Sequence, residues 1–243
     1  MLSPQALVKG LVSRILPQKS LDGPEVERAA RLLEYGESAV SIVMSSKHVL
    51  AHEGTYFATP NPTLGTGVAG AVAASFSATT AAFVFQNTSD PSNTLAKNID
   101  LDMIKIAYTV APATATGMEY AVVLDSVSRV PSAGFALLTP GQVGSIIGAT
   151  IAKVWAFTGA AFMTVPAAGP NARTVARGSI PGLPVVGTEH MIRFGADGSN
   201  SAGCAQDTPI SIPPGWFAVV YMWWPGNATT GPSAEYLLGH IER

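Results

Sequence analysis

Apolar residues recur at helical spacing near the start of the chain and at strand spacing through most of the remainder. Leu7, Leu11 and Ile15 stand four apart, with Val8 and Val12 beside them, which predicts a first helix ended by Pro17. Asp22-Gly23-Pro24-Glu25 reads as a second helix start, with Asp as the cap and an acid at the third helical position. Val26, Ala29, Ala30 and Leu33 would line one face of that helix, and Gly36 would terminate it. Residues 1–36 are therefore expected to form a helical arm or hairpin, and residues 37–243 a separate β-body.

After Glu37 the period shortens. Ser38 to Met44 is apolar and β-branched, Thr55 to Ala58 is short, and Ala81 to Gln86 holds Phe83, Val84 and Phe85. Ile99, Leu101 and Met103 share one parity, while Ile104, Ile106, Tyr108 and Val110 take the opposite one. A parity switch inside one strand predicts a β-bulge or a sharp bend. Met118, Tyr120, Val122 and Leu124 alternate cleanly. Ile147 to Phe157, Arg173 to Ile180, His190 to Phe194, Trp216 to Trp224 and Glu235 to Ile241 complete a set of roughly nine or ten strands. Turns rich in Pro, Gly, Asn and Ser separate them, and no strand–helix alternation follows residue 37. The pattern predicts a mainly β protein, an antiparallel β-sandwich or jelly roll with an N-terminal helical arm. Two loops, Thr59 to Ala74 and Gly195 to Pro209, are long enough to be functional or to be ordered by a partner.

Composition adds a constraint. Only 12% of the 243 residues are charged while 47% are hydrophobic, and the net charge is −2. Ordinary soluble domains carry about 25% charged residues. No apolar stretch has the length and purity of a spanning helix; the strongest, Gly65 to Phe85, is mostly Ala, Ser, Thr and Gly. Lys9 and Arg14 interrupt the first apolar segment, so no export signal is expected. Without a repeat of fixed period, a fibrous shaft is not expected either. The remaining place for excess apolar surface is against other protein chains. A single cysteine, Cys204, makes no internal disulfide and is read as a small apolar residue. No basic block supports nucleic-acid binding.

Candidate chemistry is sparse. Gly65-Thr66-Gly67-Val68-Ala69-Gly70 spells a dinucleotide fingerprint, but Pro60 and Pro62 precede it where a central parallel strand is required, so it reads as a flexible loop. His48, His52 and Glu53 could ligate a metal only on a helix, with a third ligand from His190 or His240. Asp125, Ser126 and Arg129 lack the histidine and the strand-to-helix elbow of a nucleophilic site, and an Asp–Arg pair at a turn is the better reading. Asn87-Thr88-Ser89 and Asn227-Ala228-Thr229 match the glycosylation sequon by chance. The aromatic run from Trp216 to Trp224 is the strongest binding candidate. Trp216, Val220 and Trp224 fall on one face of a strand, and Phe217, Val219, Tyr221 and Trp223 on the other. Such a strand sits between two layers, meets another subunit, or offers a tryptophan to a sugar ring. These residues point away from catalysis and toward binding, with no cofactor expected.

Three stretches carry a family resemblance: Glu53-Gly54-Thr55-Tyr56-Phe57-Ala58-Thr59-Pro60, Asn98-Ile99-Asp100-Leu101-Asp102-Met103-Ile104-Lys105-Ile106, and Ile212-Pro213-Pro214-Gly215-Trp216-Phe217. With the strand pattern over residues 37–243, the chain resembles structural proteins of tailed-bacteriophage particles, of the kind that decorate or cement a capsid. The resemblance implies a β-sandwich body, a homotrimer or similar assembly in the virion, no cofactor, no catalytic residue, and the major capsid protein as partner. The residues expected at interfaces are Leu7, Leu11, Ile15, Arg28 and Arg31 in the arm, and Trp216, Tyr221, Trp223 and Trp224 in the body. A receptor- or glycan-binding jelly roll, in a head fibre or tail protein, is the alternative. A cupin-type metal enzyme is the third reading; it needs His48, His52 and His190 to converge.

Overall fold

The computed structural model describes residues 28–32, 38–42, 50–51, 53–69, 74–127, 135–144, 149–157, 171–195, 205–206, 209–227 and 231–243. The chain divides into two compact units, Met1–Val49 and Leu50–Arg243.

In the first unit the described residues form β1 (Arg28–Leu32) and β2 (Ser38–Ile42), paired antiparallel with Arg28 opposite Ile42 and Leu32 opposite Ser38. This corrects the helix expected through Ala29 and Ala30. A short helix is marginal on its own in water, and its propensity is a weak prior. Ser38–Ile42 is a β-branched partner close along the chain, and pairing wins. The same ladder takes up the segment that was expected to open the β-body. The helix expected around Leu7, Leu11 and Ile15 lies outside the described residues.

The second unit is mainly β. Its strands are β3 (Tyr56–Pro60), β4 (Val68–Ala69), β5 (Phe83–Asn87), β6 (Ile99–Val110), β7 (Gly117–Asp125), β8 (Phe135–Leu138), β9 (Gly141–Gln142), β10 (Ala152–Phe157), β11 (Arg173–Pro181), β12 (Glu189–Phe194), β13 (Ala205–Gln206), β14 (Ile210–Ile212), β15 (Phe217–Trp223) and β16 (Ser233–Glu242). They build two sheets. One has six strands in the order β11-β7-β15-β5-β10-β8; the other has eight, β13-β12-β6-β16-β3-β9, with β14 also on β6 and β4 also on β16. Every pairing is antiparallel except that of β12 with the two-residue β13.

One large apolar cluster joins the two sheets. It takes Phe85, Tyr120, Val122, Leu124, Val220 and Trp224 from the six-stranded side, and Ile104, Ile106, Tyr108, Ile192 and Leu238 from the eight-stranded side. A second cluster lies on the opposite face of the six-stranded sheet: Val84, Ala121, Val123, Trp155, Phe217, Val219, Tyr221 and Trp223. The expected division of the Trp216–Trp224 strand between two faces is therefore observed. Every residue of β15 is buried. Phe76 packs edge-on against Tyr221 and Trp223, at 5.1 and 5.6 Å between ring centroids, and Tyr221 Oη donates to Ala78 O at 3.0 Å. The segment before β5 thus folds back over the outer face of β15.

The parity switch in β6 is also observed. His240 lies opposite Leu101 and Gly239 opposite Met103, so Asp102 is the extra residue of a bulge. The bulge is where β6 changes partner, from β14 at Ile99–Leu101 to β12 at Met103–Ala107. Asp102 accepts a 2.7 Å hydrogen bond from Tyr56 Oη across the intervening strand β16. Position 239, between them, has no room for a side chain: a Cβ there would lie 2.6 Å from Tyr56 Oη and 3.0 Å from Met103 Cγ.

Gly239→Ala is expected to destabilise the protein by about 1–3 kcal/mol, an overpacking cost. Urea midpoints of the four corners of a cycle with Tyr56→Phe check the cause. Removing the hydroxyl should make Gly239→Ala less costly; equal costs in both backgrounds would locate the strain elsewhere.

Candidate functional site

Titratable groups are rare in the interior of this body, and two of them, Glu242 and His190, take part in contacts that tie one sheet to the other. Glu242 is a buried carboxylate, with His240 two residues earlier on the same inward face of β16. Both are buried. Glu242 Oε1 accepts from Thr150 Oγ1 at 2.5 Å, from the backbone N–H of Ile151 at 3.0 Å and of Ala152 at 3.3 Å, and lies 3.4 Å from His240 Nε2. One carboxylate oxygen thus gathers the start of β10, in the six-stranded sheet, onto the last strand of the eight-stranded sheet. Burial pushes the Glu242 carboxyl upward, but the His240 and Thr150 hydrogen bonds, the His240 charge and the Ile151 N–H outweigh it and hold the pKa below the ordinary value. The His240 ring is stacked on Phe57 at 5.4 Å and fully shielded from solvent. The pair is buried, and the carboxylate joins the start of β10 to β16.

A second polar chain crosses the core farther along. Trp224 Nε1 donates to Tyr108 Oη at 3.0 Å, and Tyr108 Oη shares a hydrogen bond with His190 Nδ1 at 3.3 Å. Trp224 follows β15, whereas Tyr108 and His190 belong to β6 and β12, so this chain also links the sheets. Burial pushes Tyr108 up to about 12, with the Trp224 N–H acting the other way, and burial holds His190 below its ordinary value. His190 and His240 are thus both engaged in the core. His48 and His52 lie outside the described residues, and Glu53 is exposed. Among the described residues no group of three His, Cys, Asp or Glu is arranged to hold a metal ion.

The other sequence candidates resolve as follows. Tyr221, Trp223 and Trp224 are 1%, 5% and 5% exposed, which corrects their assignment to an intersubunit surface: this chain's own core already covers both faces of the strand. Trp216 is half-buried, with the Arg173 guanidinium 5.4 Å above its ring. Of the proposed sugar-stacking tryptophans it alone keeps appreciable exposure. Leu7, Leu11 and Ile15 lie outside the described residues; Arg28 and Arg31 lie on β1. The glycines of the 65–70 run follow an antiparallel strand. Gly67 lets the loop press against β6, since a Cβ there would fall 1.9 Å from Thr109 Oγ1. The buried Asn61 staples the loop through Nδ2 to the carbonyls of Thr63 and Thr66. Both sequon asparagines are buried. Asn87 Nδ2 donates to Lys97 O and Ile212 O, and Asn227 Oδ1 accepts from Ala113 N. Asp125 caps its own turn through Val127 N; Arg129, its expected partner, lies outside the described residues, and so does Cys204.

The surface feature that sequence reasoning missed is an aliphatic tip between β11 and β12. Leu183, Val185 and Val186 are 61%, 50% and 65% exposed. Nearby, at the end of β6, Val110 is exposed too. The tip is held in shape. Pro184 is buried, Thr188 N donates to Val185 O, and Gly187, at φ 83°, occupies the turn position that needs a left-handed backbone. Gly187 N and Thr188 O then continue the ladder to Tyr108 O and N. The signal for it was the run Leu183-Pro184-Val185-Val186 between two glycines, apolar residues where a turn is ordinarily polar. No protein-family model matches the chain, and no curated protein or solved structure matches it significantly.

Both titratable ties give stability the same pH sign. His190 titrates below its unfolded value near 6.5, so its contribution is complete above about pH 6.5 and is lost as pH falls through the folded value. Glu242 titrates below its unfolded value near 4.5, so its contribution is complete above about pH 4.5 and is lost below it. Urea midpoints measured from pH 7.5 to pH 3.5 should fall in two stages. His190→Gln should flatten the upper stage and Glu242→Gln the lower; an unchanged profile in either variant would contradict the assignment.

Proposed function

We propose that this chain is a non-enzymatic virion structural protein with a jelly-roll body, which associates with copies of itself, most simply as a trimer, and decorates or cements a bacteriophage capsid. The strand order supports the jelly-roll part. Its eight principal strands pair as β3·β16, β5·β15, β6·β12 and β7·β11. Those are the partners produced when one long antiparallel hairpin is folded over into two four-stranded layers. β3-β16-β6-β12 and β5-β15-β7-β11 then fall in separate sheets. Jelly rolls with this order serve as capsid and lectin domains, among other uses.

The observation that carries the self-association reading is the aliphatic tip of residues 183–186. Large exposed apolar side chains in a shape fixed by proline, glycine and ladder hydrogen bonds bind with little ordering cost. A chain with 12% charged residues has few groups to keep such a surface apart from its neighbours. Obligate interfaces are more apolar than ordinary surface, which fits both facts. The partners of the reading are sister chains and the major capsid protein.

Mass photometry at nanomolar concentration should find a discrete oligomer, and Leu183→Asp with Val186→Asp should shift it to monomer while circular dichroism stays that of a β protein. A wild-type monomer that also fails to bind capsid shells would overturn the proposal.

A further inference from the structure

An open groove of about 250 Å³ lies on the outer face of the eight-stranded sheet. Across its floor, Glu189 on β12 and Glu235 on β16 both stand opposite Ala107 of β6. Their strand neighbours Ile106 and Tyr236 belong to the inner cluster, so the three residues of this row face outward. Strands lie about 4.8 Å apart, so the two glutamates start roughly 10 Å from each other, and the alanine between them leaves the space open. Lys105 and Leu237 form the next row, and Pro60 and Leu64 line the side.

The wall is already formed. Asn61 N donates to Tyr236 O at 2.9 Å, and Asn61 Nδ2 donates to Thr63 O at 2.8 Å and Thr66 O at 2.6 Å. The loop bearing Leu64, 82% exposed, is thereby pinned beside β16. The charges in the groove do not balance. Lys105 Nζ lies 2.8 Å from Glu189 Oε1. Glu235, half-buried on the same floor, has no ion-pair or hydrogen-bond partner among the described residues. A surplus negative charge therefore sits beside the apolar wall of Pro60, Leu64 and Leu237. An aliphatic chain ending in a cation matches both parts, since its methylenes cover the wall while its charge reaches Glu235. The volume suits one long side chain and is smaller than an ordinary drug-sized site.

The geometry points to a docking groove for a lysine side chain of a partner protein, with its ammonium on the Glu235 carboxylate. A protein fits better than a free amine because Glu189 stands three residues after Val186, so one partner surface can cover the aliphatic tip and the groove together. That choice of occupant rests on the association reading above; the preference for an aliphatic cation does not.

An acetylated and amidated Ala-Lys-Ala tripeptide, its norleucine counterpart and free butylammonium test it by ligand-observed NMR titration of the full-length protein. The titrations are run on the wild type and on Leu183→Ser with Val186→Ser, a tip change that adds no charge and keeps a sister chain from filling the groove first. The lysine peptide should bind saturably to at least the tip variant, and more tightly than the other two probes. Glu235→Gln should weaken it about fivefold, the size of one partly exposed ion pair, and leave the norleucine peptide unchanged. Ala107→Leu should fill the floor and abolish binding; Leu64→Ala, at an exposed position, should weaken both peptides and serves should the first variant fail to fold. No saturable binding of the lysine peptide to either protein overturns the inference, as does an affinity that ignores Glu235→Gln or the loss of the ammonium. Butylammonium binding as tightly as the peptide overturns the protein partner in favour of a free amine. A monomeric wild type that still binds the lysine peptide through Glu235 supports the groove and counts against self-association alone.

Discussion

The strand Phe217–Trp223 is apolar on both of its faces, and both faces must be hidden from water. Ala218, Val220 and Met222 reach toward the eight-stranded sheet, while Phe217, Val219, Tyr221 and Trp223 reach the other way. Burying one such large side chain contributes about 1.5–3 kcal/mol, so neither face can be left open at small cost. The position of β15 follows: it is central in its sheet, between β7 and β5. β7 contributes Met118, Tyr120, Val122 and Leu124 to one face and Ala121 and Val123 to the other. Phe76 and the carbonyl of Ala78 then give the outer face a cover that the sheets alone would not supply.

Polar groups admitted to this interior act as fasteners. Glu242 holds the start of β10, Asn87 holds Lys97 and Ile212, and the Trp224–Tyr108–His190 chain spans the sheets. Each consists of polar groups that would be expensive to bury unpaired, and each joins segments far apart in sequence. A β-body with few surface charges relies on such ties to fix which sheet face meets which, because apolar contact alone is not directional. Thr59 Oγ1, Asn61 Oδ1, Tyr236 Oη and His240 Nδ1 depart from that pattern: they are buried without a hydrogen-bond partner.

Legibility differed by element. Long strands with a clean period, such as Met118–Leu124 and Trp216–Trp224, were visible with their faces correctly divided, because alternation is a local consequence of the pleat. The bulge at Asp102 was visible as a parity change for the same reason. Short strands such as β4, β9 and β13 were not: two residues hold no period, and they form only because a loop happens to lie along an existing edge. The helix expected through Ala29 and Ala30 failed because spacing three and four apart arises easily in a segment of alanines and arginines, and a β-branched neighbour was close enough to pair.

The sequence by itself determined that this is a charge-poor β protein whose strand near Trp216–Trp224 must be covered twice. Those conclusions need only composition and a period of two. Tertiary structure decided what does the covering. The outer face of that strand meets Phe76 and its own chain, so Tyr221 and Trp223 are core, while Leu183, Val185 and Val186 are among the exposed apolar side chains and stand together on one turn. It also decided which polar residues are spoken for: His190 and Glu242 became ties, whereas the Tyr236 hydroxyl is buried without a partner. Burial and pairing depend on segments distant along the chain, and no local pattern encodes them.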